Sequence, residues 1–464
     1  MYITLIQPRS PWGEHPYLPN GLLMVAARCV AFGHTYYIVD ENLGDKLDDP
    51  KVRSQLLRSD IIGIGALGSP YIPEALRVGQ TIRKLGYSQP IAIGGEVIMR
   101  LSSQQFSRIY GRLGDVCQIT SDEALNALFG SSLLHKIGGG TPTMFNTSMG
   151  PVINALSSRM RKAYFAKEWC LFTSQGCAYN CNFCAASKGR KEQFRSPEAF
   201  ADEVEALVRV VKEIVGARAP YEVYCSSLDG CQTPKEMDRT LRTIAETCKR
   251  VGTFFPIRFL ATATCTVTAV RHDPALLRRW RGYGLRCIGI GVDGDDPVVW
   301  SRENKRHNNS SVIAQSFELI EKAGIQPEAF MVVGFPGDNM RALYRGVRAC
   351  FRFVAKGITP RPYLGKAHAP GGKGWADGGP AVEQFLDNPA LFRELDYGGL
   401  ASSATHSDSL QRWAANVAFF ATTMALKVVS PTGCPTQPLM PTESTPRLLA
   451  TLGRAWNRFM PQDR

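Results

Sequence analysis

Cys177-Ala178-Tyr179-Asn180-Cys181-Asn182-Phe183-Cys184 sets three thiols in one short loop with the spacing CxxxCxxC, directly after the strand-like run Trp169 to Ser174. Three thiolates on a cube of four irons and four sulfurs leave one iron without a protein ligand, whereas an electron-transfer cluster takes a fourth cysteine. An open iron is a place to bind a substrate. A structural zinc site needs a second CxxC pair or an HxxxH partner, and neither accompanies this loop. An iron–sulfur scaffold or electron carrier needs a fourth nearby cysteine, and none stands close in sequence. The other ten cysteines are scattered singly through apolar segments and read as packing thiols.

Working outward, the 464 residues suffice for two or three domains. An apolar fraction of 44% with 20% charged residues is that of a soluble globular protein. There is no long apolar run, and the start MYITLIQPRSPWG has neither a basic leader nor a small-residue cleavage site, so the expected location is cytoplasmic and no membrane partner is expected. Thirteen cysteines without a regular framework fit a reducing compartment. The net charge of +13 raises nucleic acid as a partner. The basic residues are spread along the chain, however, and the densest set (Arg271, Arg278, Arg279, Arg281, Arg286) falls on a helix and its following turn. That pattern argues against it.

Residues 1–140 alternate strand-like and helix-like pieces: strands over Tyr2 to Gln7, Thr35 to Val39, Ile61 to Ala66 and Ile91 to Ile93, with helices over Asn20 to Ala31 and Ile72 to Leu85. Such alternation predicts a Rossmann-like parallel sheet wrapped by helices, with ligands beyond the carboxyl ends of the strands. The loops of interest are Pro8 to Gly21, Asp40 to Asp45, Gly65 to Pro70 and Gly94 to Arg100. Residues 141–167 read as a linker. Residues 168–380 then carry six strand–helix units: strands over Trp169 to Ser174, Tyr221 to Cys225, Ile257 to Ala263, Cys287 to Val292, Ala329 to Val333 and Pro360 to Leu364. Helices are expected over Pro197 to Val215, Pro234 to Val251, Asp273 to Tyr283, Ser311 to Ala323 and Met340 to Val354. Residues 381–464 read as mostly helical, with Gln411 to Val428 and Thr445 to Phe459 the best candidates to close an open barrel.

The CxxxCxxC loop with Phe183 before its last cysteine resembles the cluster loop of radical S-adenosylmethionine (SAM) enzymes. Arg195-Ser196-Pro197 followed by Glu203, and Gly334-Phe335-Pro336-Gly337 after the fifth strand, resemble further segments of that family. The residue pattern Leu18-Pro19-Asn20-Gly21-Leu22, Gly33-His34 before a strand closing on Asp40, and Ile93-Gly94-Gly95 resembles the cobalamin-binding domain carried by one branch of it. The resemblance implies an α/β chain: an N-terminal Rossmann-like (cobalamin-binding-like) domain, a partial (β/α)6 radical SAM barrel and a C-terminal helical segment. It implies a [4Fe-4S] cluster on Cys177, Cys181 and Cys184, with SAM on the open iron. The DxHxxG motif that ligates cobalt through histidine is missing, the nearest histidine being His15, so cobalamin is admitted but not favoured.

Other site residues follow from the same resemblance. Phe183 lies against adenine. Ser226, Ser227 and Asp229 after the second strand sit where the family contacts SAM's amino group. Asp293 in Gly289-Ile290-Gly291-Val292-Asp293-Gly294 replaces a glutamate, Lys305 belongs to a following basic element, and Gly334 and Pro336 form the turn after the fifth strand. His368, flanked by small residues after the last strand, joins Asp293 and Asp229 as candidate acid–base groups.

Two reactions are compatible with a SAM-derived radical. In one, the substrate radical is methylated by methylcobalamin. In the other, the radical forms beside a vicinal diol and expels the neighbouring hydroxyl, giving a carbonyl. The compact chain without DxHxxG is similar to radical SAM diol dehydratases of aminoglycoside antibiotic biosynthesis, which favours dehydration of an aminosugar such as paromamine. A polycationic aminosugar would need local acids to outweigh the +13 field, and Asp293, Asp295 and Asp296 are the dense acidic group available. A flavodoxin or small reductase would supply the electron.

Overall fold

The computed structural model describes residues 1–10, 17–130, 141–166, 168–186, 189–366, 369–395 and 400–429. His15, His368 and the helix expected over Thr445 to Phe459 lie outside them.

Five short strands open the chain: β1 (Tyr2–Gln7), β2 (Thr35–Asp40), β3 (Ile61–Gly65), β4 (Ile91–Gly94) and β5 (Val116–Ile119). They form one parallel sheet in the order β2-β1-β3-β4-β5. The order reverses between β1 and β3, and in an open parallel sheet the ligand crevice lies at the carboxyl ends of those strands. The sheet is wrapped by α1 (Asn20–Ala31), α2 (Pro50–Leu57), α3 (Tyr71–Lys84), α4 (Ser103–Tyr110) and α5 (Asp122–Phe129). Local chemistry sets their starts: Asp49 accepts from Lys51 and Val52 ahead of α2, and Ser102 with Gln105 makes a reciprocal capping box on α4. The fifth strand was not among the expected ones. It has four half-buried residues on a sheet edge and carries little pattern.

Two helices, α6 (Gly150–Ala155) and α7 (Ser158–Phe165), connect to the second sheet. Its strands are β6 (Cys170–Phe172), β9 (Val223–Ser226), β10 (Ile257–Ala261), β11 (Leu285–Gly291), β12 (Gln326–Val333) and β13 (Thr359–Leu364). A small antiparallel pair, β7 (Ser174–Gln175) and β8 (Gln193–Phe194), lies between β6 and β9. The six strands are parallel and lie in chain order from β6 to β13. Helices follow the first five: α8 (Pro197–Val215), α9 (Pro234–Val251), α10 (Ala263–His272) with α11 (Leu276–Gly282), α12 (Pro297–Arg302) with α13 (Ser310–Lys322), and α14 (Met340–Ala355). This is the expected partial barrel. One difference lies after β10, where the single expected helix over Asp273 to Tyr283 is two. The threonine- and valine-rich stretch of α10 has weak intrinsic helicity. The Thr262 side chain accepting from Cys265 N starts it, and packing against α13 holds it.

After β13 come α15 (Lys373–Ala376), α16 (Pro380–Asp387), a 3-10 segment (Pro389–Leu395) and α17 (Ser409–Val429). They part company. Trp375, Val382, Phe385, Phe392 and Leu395 are buried in the same apolar cluster as Ile64, Ile72 and Phe106 of the first sheet's domain. Arg393 pairs with Glu74 of α3, whose carboxyl also receives Arg9 and Arg77. The chain thus straps the barrel back onto the first sheet. Helix α17 instead packs against α14 and β13, closing the barrel's open side. No helix among the described residues is long and apolar enough to cross a membrane.

Candidate active site

The loop between β7 and β8 hangs from the carboxyl end of β6, the end where barrel enzymes gather their chemistry. Its neck is closed at Gly176 (φ +111°), where a Cβ would lie 2.6 Å from the Lys191 carbonyl, a conformation only glycine adopts freely. Cys184 N donates to Cys181 O (3.2 Å), closing a tight backbone turn between the last two cysteines. Three surrounding segments hold the loop through four hydrogen bonds: Asn182 N donates to Glu303 O (2.9 Å), Asn304 Nδ2 to Asn180 O (2.8 Å), Ala178 N to Gln232 Oε1 (2.8 Å), and Lys373 N to Asn182 O (2.7 Å). Burial pushes the Cys177 and Cys181 thiols up to about 11; Cys184 adds to the rise of both, and Cys177 to that of Cys181. Among the described residues no three His, Cys, Asp or Glu side chains converge to hold a single ion. Three soft thiols on one turn are the donor set of a cluster, in which each would bind a different iron.

On one side of the loop stand Asp293 and Lys305, both buried and joined as an ion pair. Asp293 takes a left-handed backbone (φ +47°), and its other oxygen accepts from Val332 N (3.2 Å). Gly291 makes room for the ammonium: a Cβ there would lie 2.9 Å from Lys305 Nζ. Burial disfavours the Lys305 charge, but Asp293 and the nearby Cys181 more than offset it and its pKa is raised. Lys305 Nζ also sits 5.8 Å from the centroid of Phe183, whose ring packs 5.2 Å from Phe335. Phe335 belongs to the turn holding Gly334 (φ +66°) and Pro336, closed by Asp338, which accepts from Phe335 N (3.0 Å) and pairs with Arg302. Phe183, Asp293, Lys305, Gly334 and Pro336 therefore come together around one side of the loop.

The other side is built differently. Asp229 is fully buried, and its oxygens accept from Thr262 Oγ1 (2.8 Å), Thr262 N (3.1 Å) and Cys231 N (3.3 Å). It ties the end of β9 to the start of α10. Ser227 Oγ and Ser174 Oγ both donate to Glu192 Oε1 (2.7 Å each), while the Ser226 carbonyl accepts from Thr173 Oγ1 (2.7 Å). Glu192 was not singled out from the sequence; burial raises its pKa, and it lies close enough to Cys177 to raise that thiol's as well. Two histidines were also missed. His307 stacks on Tyr179 (3.7 Å, 18°), and burial lowers its pKa to about 4. His406 is buried beside the fifth-strand turn with Nε2 2.9 Å from Gly334 O. Neither sits in a motif; contacts across 128 and 72 residues bring them in.

The acids expected to attract a cationic substrate are matched inside the protein. Asp293 faces Lys305, Asp295 pairs with Arg352, and Asp296 pairs with Arg345 while capping α12. The buried pair Arg195–Glu203 (2.8 Å) joins the segment after the loop to α8.

The first sheet presents its carboxyl edge to this loop. Gln175 Nε2 donates to Glu96 Oε2 (3.0 Å), Glu96 pairs with Arg100, and a Cβ on Gly371 would lie 3.3 Å from the Arg100 side chain. At the strand-order reversal Tyr17 (53%) and Leu67 (72%) are exposed apolar side chains. Gly95 (φ +123°) lets the loop after β4 cross so close to the loop after β3 that a Cβ would fall 2.1 Å from Ala66 O.

Residues 171–345 match the Radical SAM superfamily. In sequence, an uncharacterized methyltransferase of Synechocystis is 24% identical over 177 residues, which are 38% of this chain and 31% of that protein, so the match spans under a third of the relative's length. In structure, the radical SAM methyltransferase TsrM from Kitasatospora setae, solved with tryptophan and a SAM analogue, aligns with a TM-score of 0.63 at 15% identity over 98% of this chain and 95% of its own. The cobalamin-dependent radical enzyme OxsB, solved with aqua-cobalamin and SAM, aligns at 0.57 and 16% identity over 85% of this chain and 56% of its own. At such identities the structural likeness is one of fold.

Proposed function

We propose, from the premise that residues 171–345 form a radical SAM domain, that this chain is a cobalamin-using radical SAM methyltransferase acting on a small molecule. The domain's cofactors are a [4Fe-4S] cluster and SAM, which when bound would supply methyl or radical chemistry. In this reading Cys177, Cys181 and Cys184 hold the cluster. Lys305, paired with Asp293, offers an ammonium to SAM's carboxylate, and Phe183 with Phe335 forms the apolar wall for its adenine. Glu192, with Ser227, is the group we assign to SAM's amino end. The remaining barrel mouth orients the acceptor and excludes water.

One observation carries the cobalamin assignment: the ligand edge of the first sheet abuts the cluster loop through Gln175, Glu96 and Arg100. Tyr17 and Leu67, with the Gly65 to Pro70 loop, are the residues that would hold a corrin through apolar contact, and the chain has no DxHxxG histidine to ligate its cobalt. The names of the similar proteins, two of them methyltransferases, point the same way. Dehydration of a polycationic aminosugar would need local acids to outweigh the +13 field, and Asp293, Asp295 and Asp296 already have cationic partners.

The experiment is an anaerobic incubation with SAM labelled in its methyl group and a panel of small-molecule acceptors, with and without hydroxocobalamin. Label is expected in the product only when the corrin is present. Loss of water from an aminosugar diol, with 5′-deoxyadenosine released and no methyl transferred, would restore the dehydratase reading.

A further inference from the structure

At the amino ends of the barrel's strands, opposite the cluster loop, lies a cavity of about 760 Å³. Its wall includes Glu222 ahead of β9, Pro256 ahead of β10, Arg286 near the start of β11 and Pro327 near the start of β12, with Arg218 beside them. That volume suits a small molecule. The cavity's cations lack acids. Arg218 and Arg286 both lie over the ring of Phe254, 5.2 and 5.0 Å from its centroid, and among the described residues neither has an ion-pair partner. Arg286 Nη1 donates to Arg281 O (2.8 Å) and Leu285 O (3.1 Å), which fixes the guanidinium and, among the described residues, leaves Nε and Nη2 without a bond. Arg281 Nε in turn donates to the carbonyl of Gly324 (2.8 Å), another residue of the cavity wall. Burial, then the charges of Arg281 and Arg218, lower the Arg286 pKa, as expected of guanidiniums gathered without a counter-ion. Two acids of the barrel floor are taken, since Glu168 pairs with Arg258 (3.5 Å) and Glu328 with Arg361. Glu222 is half-buried and, among the described residues, has neither a hydrogen bond nor an ion pair; Glu321, exposed on α13, is the other acid of the wall.

We propose that this cavity binds a small phosphate monoester, with the phosphate on Arg218 and Arg286 and a hydroxyl of the same molecule on Glu222. A guanidinium meets phosphate oxygens with paired N–H groups. The two negative charges of a phosphate also offset the repulsion among Arg218, Arg281 and Arg286, where a single carboxylate would leave a surplus. Glu222 accepts from a hydroxyl and would repel a second anionic group, so the ligand is charged at one end only. Pro256 and Pro327 give its body an apolar wall. The site shares no residue with the cluster loop and stands whether or not a methyl group is transferred.

The test titrates ribose 5-phosphate into the reconstituted full chain by calorimetry at fixed ionic strength, with SAM present throughout to fill the barrel mouth. Ribose serves as the uncharged control. Ribose 5-phosphate should bind saturably at about one per chain, as a single formed pocket requires, and ribose should bind far more weakly. Arg218→Ala and Arg286→Ala should each raise the Kd about tenfold or more, the loss of one charge-assisted contact. Iron and sulfide per chain, measured for each variant, report whether the barrel is intact. No saturable binding, equal binding of ribose, or a Kd that either intact variant leaves unchanged overturns the proposal. Arg218 is exposed, so Arg218→Ala decides the matter alone if Arg286→Ala fails to fold.

Discussion

The two sheets of this protein offer ligands the same feature, the carboxyl ends of parallel strands, and furnish it in opposite ways. The barrel's strand ends carry thiols, a buried ammonium, carboxylates and an aromatic wall: Cys177 to Cys184, Lys305, Asp293, Glu192 and Phe183. The five-stranded sheet's crevice carries Ala66, Leu67, Gly94 and Gly95, which contribute backbone shape and apolar surface, and its charged pair Glu96–Arg100 is turned to the cluster loop. Chemistry written in side chains is specific to residue type and spacing. A site made of shape is specific to backbone path, and its loss should show as lost fit with the barrel's chemistry intact.

That contrast can be broken from either side. Replacing Cys177, Cys181 and Cys184 together by alanine should abolish the visible charge-transfer absorbance after reconstitution while the first sheet stays folded; a retained cluster would remove the loop from the site. Gly95→Ala is the matching change on the other sheet. Its Cβ has no room beside Ala66 O, so it should cost more than about 3 kcal/mol locally and remove corrin binding. Cluster content, measured as iron and sulfide per chain, should not move. Asp293→Asn comes next: it leaves Lys305 buried without its carboxylate, with a loss on the order of 3 kcal/mol in urea denaturation and weaker SAM binding by calorimetry.

A smaller effect depends on pH. Burial, with the nearby Lys366 and Arg412 charges, lowers the His406 pKa to about 4, whereas the unfolded chain protonates near 6.5. Between those values the unfolded state binds the extra proton, so stability is full above about 6.5 and falls as pH drops toward 4, by up to about 3 kcal/mol. His406→Gln, which keeps an N–H for Gly334 O, should flatten denaturation midpoints between pH 7 and pH 5. The smallest change is expected of Arg108→Ala. Its bonds to Glu383 and Asp387 join α4 to the strap in open solvent, and exposed pairs contribute little, so Tm should not shift measurably.

The same contrast governs what the sequence reveals. CxxxCxxC, Arg195-Ser196-Pro197 with Glu203, and the Gly334 to Gly337 turn stand out because their residue types recur at fixed short spacing. The sheets follow from strand and helix periodicity. Glu192 has no such mark: its role depends on Ser174 and Ser227, brought together only when β7 and β9 are in place. His307 and His406 are likewise products of long-range packing. Asp229 reads as a site carboxylate by position, yet its oxygens are absorbed by Thr262 and Cys231, which sequence cannot disclose. The strap from Trp375 to Leu395 has helical spacing but no signal for which core it joins, and it joins the first sheet's.

The most direct test of the central claim is anaerobic reconstitution with iron, sulfide and hydroxocobalamin, followed by desalting and a visible spectrum. A sheet edge that seats a corrin against the cluster loop should retain about one cobalamin per chain, by the site logic of bound cofactors, beside a full cluster. A full cluster with no retained corrin would contradict it and leave the first sheet a scaffold.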